Sequence, residues 1–369
     1  MRQIFTGLNA SCLATALTLA CVLAGCSRSL KPGTPVVGFL DFVQDDTLAK
    51  ARQGFIETLD EHGFSEKKGT IEFVYRCAQG DQPTLILACK DLVSRHPVLV
   101  ATCPTLSTIV AAHQTPDIPI LMMVSPRPDI VGLTIAGGAF QGNLLGAYET
   151  LDYLKEAPVI IHQLTPGVRR VGLVYNPAEP QSVLALKVIR KAFAEQGLIL
   201  DVAPVDSPTD AVMVAQAQIA RGAQAFFAMP DNTVFASFEA LKKVCDEVHL
   251  PIYSSESGLV ARGALAAYGA DFYAWGRQVG EQAAHILEIG NASGVHLELV
   301  KVRKRVFNRQ SAAFLGVQIP EGFEPISTSS PKSTRTSEVS ALAYRLVSFP
   351  NHSAFPPGNR QRPFRLGEP

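Results

Sequence analysis

Val37-Gly38-Phe39-Leu40 and Val171-Gly172-Leu173-Val174 decide the fold. Each is a short apolar run followed by a loop and an amphipathic helix. Each helix stops at a glycine, Gly63 in the first case and Gly197 in the second, before another apolar run begins. Two such β-α-β openings, about one lobe apart, read as an internal duplication of an α/β architecture. Working outward from the first, buried parallel strands are predicted over 36–40, 70–75, 98–102 and 118–124, and from the second over 170–175, 199–205, 225–229 and 251–254. Helical patterns fall at 48–62, 81–96, 179–196, 209–221, 234–248 and 274–289. In the first of these, Phe55, Ile56 and Leu59 form the apolar stripe while Glu57, Asp60 and Glu61 face water. The expected fold is therefore α/β: two similar lobes, each a parallel sheet flanked by helices, with a ligand in the cleft between them. Crossings between lobes are expected at 126–130, stiffened by two prolines, and near 269–271. Partial alternation over 295–303 predicts an edge strand.

The N-terminus is a targeting segment. Arg2 supplies the positive start, 8–23 is apolar, and Leu23-Ala24-Gly25-Cys26 places small residues before a cysteine. The pattern resembles a bacterial lipoprotein signal with Cys26 as the lipidated residue, and the apolar run is short for a spanning helix. The predicted organisation is a signal peptide at 1–26 and a linker at 27–34. Lobe 1 takes 35–127 with about 270–294, lobe 2 takes 128–269 with about 295–323, and 324–369 is a disordered tail rich in Ser, Thr and Pro without periodicity. The compartment is then extracytoplasmic, on a bacterial membrane, and periplasmic in a Gram-negative host.

Composition narrows the function. Lys plus Arg and Asp plus Glu both number 33, so there is no basic excess and no nucleic-acid partner is expected. Besides Cys26, the cysteines after the signal are Cys77, Cys89, Cys103 and Cys245. Their spacing offers no Cys-x-x-Cys, so no zinc site is expected and unpaired thiols are. Gly137-Gly138-Ala139-Phe140-Gln141-Gly142 lacks the Lys-Ser/Thr ending of a phosphate loop, and Ser254-Ser255-Glu256-Ser257-Gly258 lacks the first glycine of a nucleophile elbow. No catalytic residue, metal or cofactor is expected.

In open α/β sheets ligands sit beyond the carboxyl ends of the strands. Those ends carry Asp41, Phe42 and Gln44 after the first strand, and Thr105 and Ser107 after the third, where a helix start suits a carboxylate. In the second half they carry Tyr175 and Asn176, then Asp231 and Asn232, then Ser255 and Glu256. Asp231 is the leading receiver for an ammonium group. Thr105, Asn232 and Ser257 equally suit helix capping, and Phe42 and Tyr175 equally suit a core.

Several of these loops carry a family resemblance. Val174-Tyr175-Asn176-Pro177-Ala178-Glu179-Pro180-Gln181-Ser182, Pro230-Asp231-Asn232-Thr233-Val234, and Gly263-Ala264-Leu265-Ala266-Ala267-Tyr268-Gly269 followed by Asp271-Phe272-Tyr273 are three such runs. Cys77-Ala78-Gln79-Gly80-Asp81 and Leu315-Gly316-Val317-Gln318-Ile319-Pro320 are two more. Together, in order and over about 36–323, they resemble an ABC transporter substrate-binding family that includes tryptophan/tyrosine-type binding lipoproteins. The resemblance implies a type I periplasmic-binding fold and no enzymatic activity. It also implies a small-molecule ligand, an amino acid with an aromatic or branched side chain, delivered to an ABC permease in the cytoplasmic membrane; the lipid anchor would hold the protein to a membrane, and Ser27 after the cysteine favours the outer one in a Gram-negative host. It adds Asp271 to the ligand-binding set. Departures from the family pattern at Cys103-Pro104-Thr105-Leu106-Ser107, at Val124-Ser125-Pro126 and over 139–164 bear on ligand choice, and bring in Ser125. The alternatives are a ligand-sensing receptor of a signalling system built on the same fold, and a secreted α/β enzyme.

Overall fold

The computed structural model describes residues 33–134, 138–326 and 328. The signal segment, Cys26 and most of the expected tail lie outside the described residues.

The first half alternates β1 (Val36–Asp41), α1 (Ala49–Glu61), β2 (Glu72–Cys77), α2 (Gln82–Ser94), β3 (Leu99–Cys103), α3 (Thr105–Gln114), β4 (Ile120–Met122) and β5 (Leu144–Tyr148). The second runs α4 (Glu156–Leu164), β6 (Arg170–Tyr175), α5 (Pro180–Glu195), β7 (Ile199–Pro204), α6 (Pro208–Ala220), β8 (Ala225–Ala228), α7 (Asn232–Glu247), β9 (Ile252–Ser254), α8 (Ser257–Ala261) and β10 (Ala266–Ala270). Then come α9 (Phe272–Ile289), β11 (Glu298–Leu299), β12 (Arg303–Asn308), α10 (Arg309–Leu315) and β13 (Glu324–Ile326).

The duplication is topological. The first sheet is ordered β11-β5-β4-β3-β1-β2 and the second β13-β12-β10-β9-β8-β6-β7, so β1 and β6 hold the same place. The two glycines of the opening runs face similar constraints. A Cβ on Gly38 would stand 2.3 Å from a methyl of Leu92, and one on Gly172 3.0 Å from the Phe226 ring. At each, the sheet is pressed against a bulky side chain, and a residue with no side chain admits the contact. Every pairing of the first sheet is parallel, with β1 flanked in register by β2 and β3. The second sheet becomes mixed only where β12 runs antiparallel to β10. Both faces of β1 and β3 are covered, which is why they read as continuous apolar runs.

The lobe boundaries need correction at three places. The stretch 126–130 is not where the chain leaves lobe 1. Pro126 bridges Glu149, a short 3-10 helix at Pro128–Val131 touches α5, and the chain then returns to add β5 to the first sheet. The first crossing is at 149–151. The strand is obscured in sequence because Gly146 interrupts it at φ +99°, where a Cβ would meet the Met122 backbone at 2.4 Å. Second, β11 extends the first sheet and only β12 belongs to the second, so 295–303 is not one edge strand but a third crossing. Third, the chain does not come loose after Phe323: β13 pairs with β12, and the Thr328 hydroxyl meets the Asn308 side chain at 2.9 Å. Removing everything after Phe323 would therefore strip an edge strand from the second sheet.

α9 crosses back to cover lobe 1. It packs on α1 so closely that a Cβ on Gly276 would stand 1.8 Å from the Ala51 carbonyl oxygen, and one on Gly54 2.1 Å from that of Tyr273. Neither backbone can yield without separating the helices. Gly276→Ala should therefore cost about 1–3 kcal/mol through overpacking, read as a lower midpoint in chemical denaturation; an unchanged midpoint would show that the helices can move apart freely. Among the described residues no helix is long and apolar enough to cross a membrane.

Candidate functional site

A cavity of about 50 Å³ lies between the sheets. Lobe 1 contributes Pro104 and Thr105 at the start of α3, Val124, Ser125 and Pro126 after β4, and Phe272 and Trp275 from α9. Lobe 2 contributes Gln181, Pro230, Asp231, Asn232, Phe235 and Glu256, and the first crossing supplies Glu149, Leu151 and Tyr153. The volume is far below the ~300 Å³ usual for small-molecule sites, so the lobes must part to admit a ligand of that size.

The charged groups of the site are carboxylates; no Lys or Arg is among the lining residues. Three of the four carboxylates at or just behind the wall are already engaged. Glu149 is ion-paired with Arg303 at 2.6 Å, tying the first crossing to the third. Asp231 is the N-cap of α7. One of its oxygens accepts the Val234 N–H at 3.0 Å and the other the Asn176 N–H at 2.7 Å. Glu179, behind the wall, accepts the backbone and side-chain N–H of Asn232 at 3.0 and 2.8 Å. Burial, then the neighbouring Asp231, push Glu179 up to about 8.

Glu256 is different. Its Oε1 accepts the Ser255 hydroxyl at 3.1 Å and the Tyr153 hydroxyl at 3.3 Å, while its Oε2 is buried with no partner. Burial pushes its carboxyl up to about 8, against the pull of the Ser255 and Tyr153 hydrogen bonds. An unpaired buried carboxylate oxygen is costly unless a donor reaches it.

Of the residues expected at the site, Thr105, Ser125, Asp231, Asn232 and Glu256 line the cavity. The others do not. Asp41 is buried in a cluster with Arg52 and the Tyr75 hydroxyl, the latter at 3.0 Å, and burial raises its carboxyl to about 6. Phe42 sits in the core under α2, and Tyr175 packs on the lobe 2 core. Gln44 is exposed. Ser107 donates to the Cys103 carbonyl within its own turn at 3.0 Å. Asn176 spends its side chain on Thr233 and on the Ala178 N–H, both at 2.9 Å. Ser255 supports Glu256. Asp271 caps α9 and pairs with Lys304 at 2.9 Å. The helix starts fall one residue earlier than capping by Asn232, Ser257 or Thr105 would require: the N-caps are Asp231, Glu256 and Pro104.

Sequence reasoning missed the aromatic walls and the crossings at 149–151 and 295–303; the crossing near 269–271 falls where it was expected. Phe235 and Tyr153 belong to lobe 2, and Phe272 and Trp275 to lobe 1, with the last two rings in edge contact at 6.1 Å. The Trp275 indole N–H is spent on the Ala147 carbonyl at 3.1 Å, which fixes the ring. Trp275 is the only Trp in the chain and follows the second crossing by a single helical turn, a signal the sequence did contain.

Beside the cavity the lobes meet at a charged contact. Arg262, at the end of α8, donates to Asp45 at 2.6 Å and to the Thr47 hydroxyl at 3.1 Å, both in the loop after β1. The same guanidinium holds Glu239 at 2.7 Å and the Phe235 carbonyl at 2.8 Å, within its own lobe. Gly258 lies so near Thr47 that a Cβ there would stand 2.1 Å from its methyl.

Residues 36–329 match the family described as ABC transporter substrate binding protein. The chain belongs to that family. Its members are solute-binding proteins rather than enzymes. Among curated proteins the chain is similar to the tyrosine-binding protein of Clostridioides difficile (strain R20291), with 28% identity over 284 residues, 76% of this chain and 81% of the relative. Among solved structures it is similar to a conserved domain protein from Vibrio cholerae, with 26% identity and a TM-score of 0.71 over 79% of this chain and 99% of that one. It is also similar in fold to an ABC domain in complex with L-Trp from Streptococcus pneumonia, at 22% identity and a TM-score of 0.70 over 80% of this chain and all of that one.

Proposed function

We propose that the protein is the substrate-binding lipoprotein of an ABC importer, anchored through Cys26 outside the cytoplasmic membrane, and that it closes on an aromatic amino acid for delivery to an ABC permease. The observation that carries this reading is the unpartnered Oε2 of Glu256 at the cavity wall, a receiver for an ammonium group. The start of α3 at Thr105 offers backbone N–H groups for the carboxylate, from the opposite lobe. Phe235, Phe272 and Trp275 supply apolar walls for a ring. A tyrosine-binding relative and a neighbour solved with L-Trp support an aromatic over a branched side chain. Ligands that touch both lobes stabilise the closed form, which is the state a permease would recognise.

Titration calorimetry of the purified protein with L-Trp, L-Tyr, L-Leu and L-Lys tests the reading. Saturable binding of L-Trp or L-Tyr is expected, at least about ten-fold tighter than L-Leu, since a ring buries more apolar area than an isobutyl group. Absence of binding by both aromatic amino acids would sink it.

A further inference from the structure

We infer that Gln181 reads the ligand's side chain, selecting aromatic amino acids whose ring carries a hydrogen-bond donor, a phenol O–H or an indole N–H, over those whose ring carries none. The inference rests on the amino-acid reading above and deepens it.

Gln181 opens α5 in lobe 2, lines the cavity and is only 7% exposed. Its amide orientation is fixed by chemistry. The nitrogen donates to Oε2 of Glu179, and that oxygen also accepts both N–H groups of Asn232. The Asn232 backbone N–H can only donate to that oxygen, so with Glu179 ionised the group Gln181 turns toward it is NH₂. The amide oxygen is thereby turned away from Glu179, and it is buried with no partner. Glu179 is a positioning residue here: it touches the amide and sets which end is presented.

The cavity wall thus carries two unpaired acceptors of different kinds. Glu256 presents a carboxylate oxygen, fitted to a cation. Gln181, which lines the same cavity as Phe235, Phe272 and Trp275, holds a neutral carbonyl oxygen, fitted to a neutral donor. A phenol or indole donor satisfies the second. A phenyl ring desolvates it without replacement, and a site built around a donor discriminates strongly against the analogue that lacks it.

The test compares matched pairs by calorimetry: L-Tyr against L-Phe, and L-Trp against L-Trp methylated on the indole nitrogen. Wild-type protein should prefer the donor-bearing member of at least one pair by about ten-fold or more. Gln181→Leu should bring that ratio to within about three-fold while leaving L-Phe binding as tight or tighter. Equal wild-type affinities within both pairs would overturn the inference and leave the amino-acid reading standing. A ratio that survives in Gln181→Leu would also overturn it. If none of the four compounds binds, the amino-acid reading and this one fall together. Should Gln181→Leu not fold, judged by circular dichroism, the wild-type pairs decide alone.

Discussion

Glu256→Gln should weaken an ammonium-bearing ligand by about 1.5–3 kcal/mol, the worth of a hydrogen bond to a charged group. The substitution keeps shape and removes charge. Its pH signature is as diagnostic as its size. Burial holds the Glu256 carboxyl at about 8, so without a cation beside it the group is largely protonated at neutral pH. The cation binds the ionised form. Wild-type affinity should therefore climb as pH rises from 6 toward 8, by up to about ten-fold per unit, with a proton released on binding. Glu256→Gln should show a flat profile over that window. Stability of the ligand-free protein moves the other way. A carboxyl raised above its unfolded value, ~4.3, contributes stability that is fully present below that value and is lost as pH rises through about 8. The wild type should thus lose melting temperature between pH 6 and 9 faster than Glu256→Gln. Parallel affinity profiles for the two proteins would show that Glu256 does not receive the ligand.

A second large effect is expected at the lobe contact. Asp45 is almost wholly buried, as is most of the Arg262 side chain. Burial raises the Asp45 carboxyl, and Arg262 is the largest force pulling it back. Arg262→Ala leaves that carboxylate without its counter-charge, and removing one partner of a buried pair costs about 3–5 kcal/mol when nothing can relax. Here something can. Asp45 belongs to lobe 1 and Arg262 to lobe 2, so parting the lobes returns Asp45 to water. The cost should appear partly as a lower melting temperature and partly as a shift toward the open form. An opening cost of about 3 kcal/mol corresponds to roughly a hundred-fold loss of apparent affinity, because only the closed fraction is competent. Small-angle scattering should show a larger radius of gyration for the ligand-free variant. Unchanged scattering together with unchanged melting would mean that the pair contributes nothing to closure.

Much of the fold was legible because its signals are local. The helices at 48–62 and 179–196 follow from apolar periodicity and glycine stops, and they lie within a residue or so of α1 and α5. The strands that open each lobe are buried on both faces and read as unbroken apolar runs. β5 was hidden because its pattern is broken at Gly146, which a neighbouring strand's backbone forces to be glycine. The site was legible in part. Strand polarity placed Glu256, Asp231 and Thr105 at the cleft, but it could not say which carboxylate was already spent. Asp231 follows a strand and precedes a helix, a position that suits capping as well as ligand contact, and its two backbone hydrogen bonds appear only when α7 and the Tyr175-Asn176 loop are placed together. Tyr153 was missed because it follows the crossing at 149–151, whose position depends on how β5 pairs; Phe272 and Trp275 follow the crossing expected near 269–271 and were passed over because the search there was for polar and charged groups.

The crossings also set the order in which the molecule can form. α1 leaves its face of Ala51, Gly54 and Thr58 uncovered until α9 arrives, and the ion pair joining the two helices, Arg277 with Glu61, spans 216 positions of chain. The second sheet waits for β12 and β13, later still. Neither lobe is a contiguous segment that a growing chain could finish while the rest is being made. Closing loops of this length is entropically slow, and such contacts form late. The two lobes therefore become complete almost together, once 303–326 has been made. Were the chain to cross a membrane unfolded, that timing would keep either lobe from closing until 303–326 had crossed.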